Sequence, residues 1–240
     1  MGKSIKLRNG EKNMYLELKD IKKDIHKKNI LHDINCRMEG GKVYGLKGKN
    51  GCGKTMLMRV ISGLIKPTSG KVCIDGKVLW ENMTFPDSIG ILIENPSFIE
   101  RYTGYENLKM LADIKGLIGK EEICEAITKV GLDPKDKKKY RKYSLGMKQK
   151  LGIACAVMEH PDIIILDEPI NAIDQAGVIL VRNILEELKE EGKIIIIACH
   201  DTEEMEILAD EIYEMEDGTI INKRINDRKS QGYEKIYKAD

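Results

Sequence analysis

The stretch that most constrains the fold is Gly48-Lys49-Asn50-Gly51-Cys52-Gly53-Lys54-Thr55. It carries G-x-x-x-x-G-K-[ST] at every fixed position. Before it, Val43-Tyr44-Gly45-Leu46 reads as a short buried strand; after it, Met56 to Ile61 reads as the first turns of a helix. Strand, glycine loop and helix form the context in which such a loop cradles phosphate. Glycines let the backbone curl so that its N–H groups point at phosphate oxygens, at the positive end of a helix. Lys54 would reach the β/γ-phosphates, and the Thr55 hydroxyl would be a hard oxygen ligand for Mg²⁺.

The 240 residues suffice for a sizeable core, as one domain or a domain with a subdomain. A net charge of +1 gives no sign of a nucleic-acid partner. No run approaches the roughly 18 apolar residues of a membrane helix, and Met1 to Lys6 lacks the apolar stretch of a signal peptide. The six cysteines are scattered without a C-x-x-C pair, which favours reduced thiols over disulfides or a metal site, and the four histidines show no metal-ligand spacing.

Along the chain, residues 1–13 are a basic extension. Tyr15 to Leu18 alternates like an edge strand, Lys22 to Asn29 is a charged turn, and Ile30 to Met38 alternates again. Lys71 to Ile74 and Val78 to Trp80 read as a hairpin over Asp75-Gly76. Ile89 to Ile93 is an apolar run short enough for a strand buried on both faces. Helical periodicity follows over Tyr105 to Ile114, Lys120 to Val130 and Met147 to Met158. The basic run Lys137 to Lys142 reads as solvated surface. Ile163 to Leu166 and Ile194 to Ala198 are core strands separated by a helix that stops at Gly192. A short helix, Thr202 to Leu208, and a hairpin over Asp217-Gly218 precede a polar tail, 226–240.

Asp167-Glu168 ends the strand Ile163 to Leu166. Asp167 can hold Mg²⁺ through water opposite Thr55, and Glu168 can polarise an attacking water near the γ-phosphate. Tyr143-Ser144-Leu145-Gly146-Met147, directly before a helix, resembles the Leu-Ser-Gly-Gly-Gln signature of ABC ATPases, with Ser144 and Gly146 matching and Leu145 and Met147 departing. Glu94 then sits where that family's Q-loop carries Gln, Asn171 to Asp174 looks like the D-loop, and His200 looks like the switch histidine. The resemblance runs from about Met14 to Ile221. Ile91 to Phe98, Thr103 to Leu108 and Tyr143 to Ala154 look like the bacitracin and lantibiotic-resistance exporter ATPases, which share the Glu.

The resemblance implies an α/β fold: a P-loop NTPase core with an antiparallel β subdomain and an inserted α-helical subdomain. The ABC ATPase domain would span 14–240, with a core lobe of 14–95 and 159–225, a helical lobe of 96–158 and the tail beyond. The cofactors would be ATP and Mg²⁺. Glu168, His200 and Lys54 would be catalytic. Gly48 to Thr55 would bind phosphates, Ser144, Gly146 and Asp174 would meet the nucleotide of a partner, and Ile25 would lie against adenine. Thr55, Glu94 and Asp167 would hold the metal. Two such domains, as homodimer or heterodimer, would sandwich two ATP molecules and drive an integral membrane permease subunit from the cytoplasmic face of the plasma membrane. The alternative is a soluble ABC ATPase of the cluster-assembly type with a non-membrane partner. A non-hydrolysing module is disfavoured by the full set of acids with His200, and a P-loop kinase by the signature.

Overall fold

The computed structural model describes residues 14–226; the basic extension 1–13 and the tail beyond Asn226 lie outside the described residues. Its centre is a six-stranded sheet built from β3 (Lys42–Lys47), β6 (Ile89–Leu92), β7 (Ile163–Asp167), β8 (Ile194–Ala198), β9 (Glu211–Glu216) and β10 (Thr219–Ile225). The strand order is β10-β9-β3-β8-β7-β6, with β10 alone running antiparallel to its neighbour. Pleating sends alternate side chains to opposite faces. Ile163, Ile165, Ile194 and Ile196 enter one apolar cluster; Ile164, Leu166, Ile195 and Ile197 enter the other. The isoleucine runs are continuous because both faces are covered.

One cover is a four-stranded antiparallel sheet of order β2-β1-β4-β5, made by β1 (Tyr15–Ile25), β2 (Lys28–Glu39), β4 (Ser69–Ile74) and β5 (Lys77–Val78). The helix α1 (Lys54–Ile61) is packed into the same cluster through Leu57, Met58, Val60 and Ile61. The other cover is helical: α2 (Gly104–Lys115), α3 (Lys120–Lys129) and α4 (Leu145–Val157), inserted between β6 and β7, with α5 (Gln175–Glu190) and α6 (Thr202–Leu208). A short 3-10 turn, Tyr140–Lys142, leads into α4.

Four expectations change. β1 is no edge strand: it lies between β2 and β4. Lys22 to Asn29 is not a charged turn either, since the strands run on to a two-residue turn at His26 and Lys27, both with positive φ. That geometry matches the right-handed twist of a hairpin and normally calls for Asn or Gly, so the sequence carries no signal for it. Register shifts after Leu18 and Ile21 break the period-2 pattern, and Asp20 exchanges two hydrogen bonds with Asn35 at the first. β6 is not buried on both faces but forms the sheet's edge, with Ile91 exposed. The arm expected over Val78 to Trp80 ends at Val78, because Trp80 takes a left-handed φ of 70° and its N–H donates to the Met83 carbonyl.

Candidate functional site

The parallel strands place their carboxyl ends side by side, and the loops that follow them converge there. β3 leads into the glycine loop and α1. Gly51 and Gly53 have φ of 79° and 107°, which a side chain would strain. Gly53 caps α1 without any side chain, so the first N–H groups of that helix stay free for an anion. The buried Lys54 Nζ donates to the Gly48 and Lys49 carbonyls at 2.6 and 3.1 Å.

β7 leads to the acids. The Thr55 hydroxyl donates to Asp167 Oδ2 at 2.8 Å, tying α1 to β7. Glu168 follows in a left-handed conformation, φ 51°, and its N–H donates to the Ala198 carbonyl. Its Oε2 accepts from the His200 N–H at 3.2 Å. Its Oε1 is buried without a hydrogen bond, while His200 Nε2 lies 3.3 Å from it outside hydrogen-bond geometry. Burial raises the Glu168 pKa, and Asp167 adds to that; the His200 N–H, the His200 ring and Lys54 act against it. Asn50, Gly51, Gly53, Lys54, Thr55, Asp167, Glu168 and His200 line one open cavity of about 300 Å³.

The remaining expected residues lie around this centre. Ile25 pairs with Lys28 at the hairpin end and is not among the residues lining that cavity; Ile30, from the other arm, is. The Cys52 side chain is buried in the apolar cluster with Leu57 and Met215 and is likewise outside the lining. Glu94, beyond the end of β6, has φ 63° and pairs with Arg59 of α1 at 2.5 Å. Ser144 caps α4, its Oγ accepting from the Met147 N–H at 3.2 Å. A Cβ on Gly146 would stand 2.6 Å from the Ala172 carbonyl oxygen, so the Asn171–Asp174 loop crosses α4 only where there is no side chain. Asp174 pairs with Lys150 of α4 at 2.8 Å, which lowers its pKa. Neither Ser144, Gly146 nor Asp174 lines the glycine-loop cavity.

Three contacts escaped the sequence reading. Gln149 of α4 donates to the Glu168 carbonyl at 2.8 Å, so the signature helix and the strand carrying the acids are tied directly. Arg59 and Ile30 are the others. None belongs to a spacing pattern. Thr55 and Asp167 supply two hard oxygens at one point, and Glu168 an oxygen still unsatisfied, a donor set that suits Mg²⁺ better than a soft metal.

Comparisons with known proteins agree with this geometry. The family model described as ABC transporter matches residues 31–171. An uncharacterized ABC transporter ATP-binding protein, YybJ of Bacillus subtilis (strain 168), is 44% identical over 205 residues, covering 85% of this chain and 94% of that protein. The bacitracin transport ATP-binding protein BcrA of Enterococcus faecalis is 40% identical over 87% of this chain and 68% of its own length. The lantibiotic transport ATP-binding protein SrtF of Streptococcus pyogenes is 36% identical over 92% and 95%. Among solved structures, an ATP-binding subunit of an ABC transporter superimposes with a TM-score of 0.81 at 27% identity, covering 90% of this chain and 92% of that one.

Proposed function

This chain belongs to the ABC transporter family, and from that premise we propose that it is the ATP-hydrolysing subunit of an exporter of peptide antibiotics of the bacitracin or lantibiotic kind. The observation that carries the reading is the single cavity in which the glycine loop, Thr55, Asp167, Glu168 and His200 face one another. A phosphate-binding loop facing a desolvated carboxylate is the arrangement hydrolysis needs.

The free N–H groups of the loop and of α1 bind the phosphates of ATP, and Lys54 leaves the Gly48 and Lys49 carbonyls to pair with the β/γ-phosphates. Thr55, Asp167 and Glu94 would hold Mg²⁺, which neutralises charge on the phosphate oxygens when bound. Glu168 takes the proton of the attacking water as its oxygen bonds to the γ-phosphorus and the bond to the bridging oxygen breaks. A raised pKa makes that carboxylate a stronger base than an ordinary Glu. His200 keeps Glu168 aimed through its backbone N–H and places its ring beside Oε1. Ser144 and Gly146, which do not line the chain's own glycine-loop cavity, act on the nucleotide held by a second domain, so the working unit is a dimer. Its core lobe comprises 14–95 and 159–225 and its helical lobe 96–158. Among the described residues no helix is long and apolar enough to cross a membrane. As in a transporter of the kind the relatives' names describe, a permease subunit supplies the pathway, and the dimer docks on its cytoplasmic face.

Glu168→Gln keeps the shape of the side chain but cannot accept the proton. The purified variant should bind ATP within about threefold of wild type while turnover falls on the order of 100-fold or more. In cells, deleting the chain should lower the tolerated dose of a bacitracin- or lantibiotic-type peptide, and Glu168→Gln should not restore it. Wild-type turnover in the variant would remove Glu168 from the chemistry; an unchanged tolerance to both peptide classes would remove the transport reading.

A further inference from the structure

We propose that Arg59 and Glu94 form an exchange pair, in which Arg59 holds the Glu94 carboxylate away from the metal position and so sets how much Mg²⁺ the chain needs to bind nucleotide. This rests on the reading of Glu94 as a metal ligand. β6 and β7 run parallel with Leu92 opposite Leu166, so the residues just beyond the two strands emerge side by side. Glu94, Asp167 and Glu168 all line a second cavity on the helical side of the acids. Three carboxylates at one end of a sheet repel one another, and Lys54 is a single cation among them. The second cation is Arg59, one turn along α1 from Thr55, whose Nη2 lies 2.5 Å from Glu94 Oε1.

The consequence is visible in the arrangement. Although the three acids border one cavity, no group of three His, Cys, Asp or Glu side chains gathers as a metal site among the described residues. Glu94 is turned to the guanidinium instead. It is 62% exposed on its side chain, and Arg59 31%, so water reaches the pair and the carboxylate can change partner without crossing an apolar barrier. A neutral Gln at this position would feel no such pull from Arg59. The carboxylate is the stronger ligand for a hard cation, but it must first give up a charged partner, and the Arg59 contact opposes the binding step in proportion to its strength.

The test is equilibrium binding of a non-hydrolysable ATP analogue to the purified chain, titrated with Mg²⁺, so that turnover plays no part. Arg59→Met removes the competing cation and should lower the half-saturating Mg²⁺ concentration by roughly three- to tenfold. In a Glu94→Gln background the same substitution should shift it less than about twofold, because there is no carboxylate to release. Arg59→Lys keeps a cation at this site and should stay within about twofold of wild type, and thermal unfolding of each variant checks that it folds. No shift for Arg59→Met in a folded protein, or the same shift in both backgrounds, would overturn the exchange pair. Glu94→Ala made together with Arg59→Met separates the two layers. A raised Mg²⁺ requirement relative to Arg59→Met alone supports Glu94 as a ligand, and no change removes that reading and the inference with it.

Discussion

At the scale of single residues, Glu168 is the carboxylate of the site whose pKa its surroundings raise. It is a carboxylate beside Asp167 with one oxygen buried and without a hydrogen bond. Burial first, and Asp167 after it, raise its pKa above the ordinary 4.5. The native state therefore holds a proton on Glu168 at pH values where the unfolded chain has released it. Stability from this group is fully present below the unfolded pKa and lost as pH rises through the folded one. Glu168→Gln should accordingly unfold at a higher temperature than wild type at pH 8, with the gap closing as pH falls towards 4.5. Thermal unfolding of the two proteins across that range checks it; a gap that widens towards acid would mean that the carboxylate is stabilised, not strained, by its site. Cys52 belongs to the same scale. A thiol within the glycine loop would be open to alkylation if it faced the phosphates, but it packs inward on the apolar cluster, and only its backbone belongs to the cradle.

At the scale of elements, α4 joins two functions in one residue. Ser144 caps the helix, and it is the expected contact to a second domain's nucleotide. Ser144→Ala removes the cap and should cost about 1 kcal/mol of stability. Ser144→Asp retains an N-cap acceptor, so its unfolding temperature should stay near wild type, while a negative charge opposite phosphate should reduce ATP turnover on the order of tenfold or more. Retained turnover in a stable Ser144→Asp protein would leave Ser144 as a cap and nothing else. Elements with a strong local pattern were legible in the chain: the isoleucine strands, the glycine loop, Asp167-Glu168 at a strand end, and Ser144 before a helix. The illegible ones depend on partners far away in sequence. Nothing in Ile89 to Ile93 says whether a further strand will cover its edge. His26-Lys27 takes a turn that those residues rarely adopt, and the bulges at Asp20 erase the alternation that would have extended β1. Arg59 and Gln149 were unremarkable helix residues until α1 met the end of β6 and α4 met the end of β7.

At the scale of the molecule, the sheet's carboxyl edge gathers the phosphate loop, the acids and His200 in one cavity, which Ser144 and Gly146 do not line. On the proposed reading the chain holds two halves of a site, and a second copy or a related domain would complete both. ATP would then act as the adhesive, and its hydrolysis would release the pair and move the permease. Glu168→Gln, which binds ATP without consuming it, would trap the closed state. The direct measurement is the mass of that variant in solution by light scattering, with and without ATP, beside the same variant carrying Ser144→Arg. The trans arrangement predicts a monomer of 27.2 kDa without nucleotide, a dimer with ATP, and no dimer once Ser144 is also replaced. A monomer with ATP bound, or a dimer indifferent to both ATP and Ser144, would contradict it.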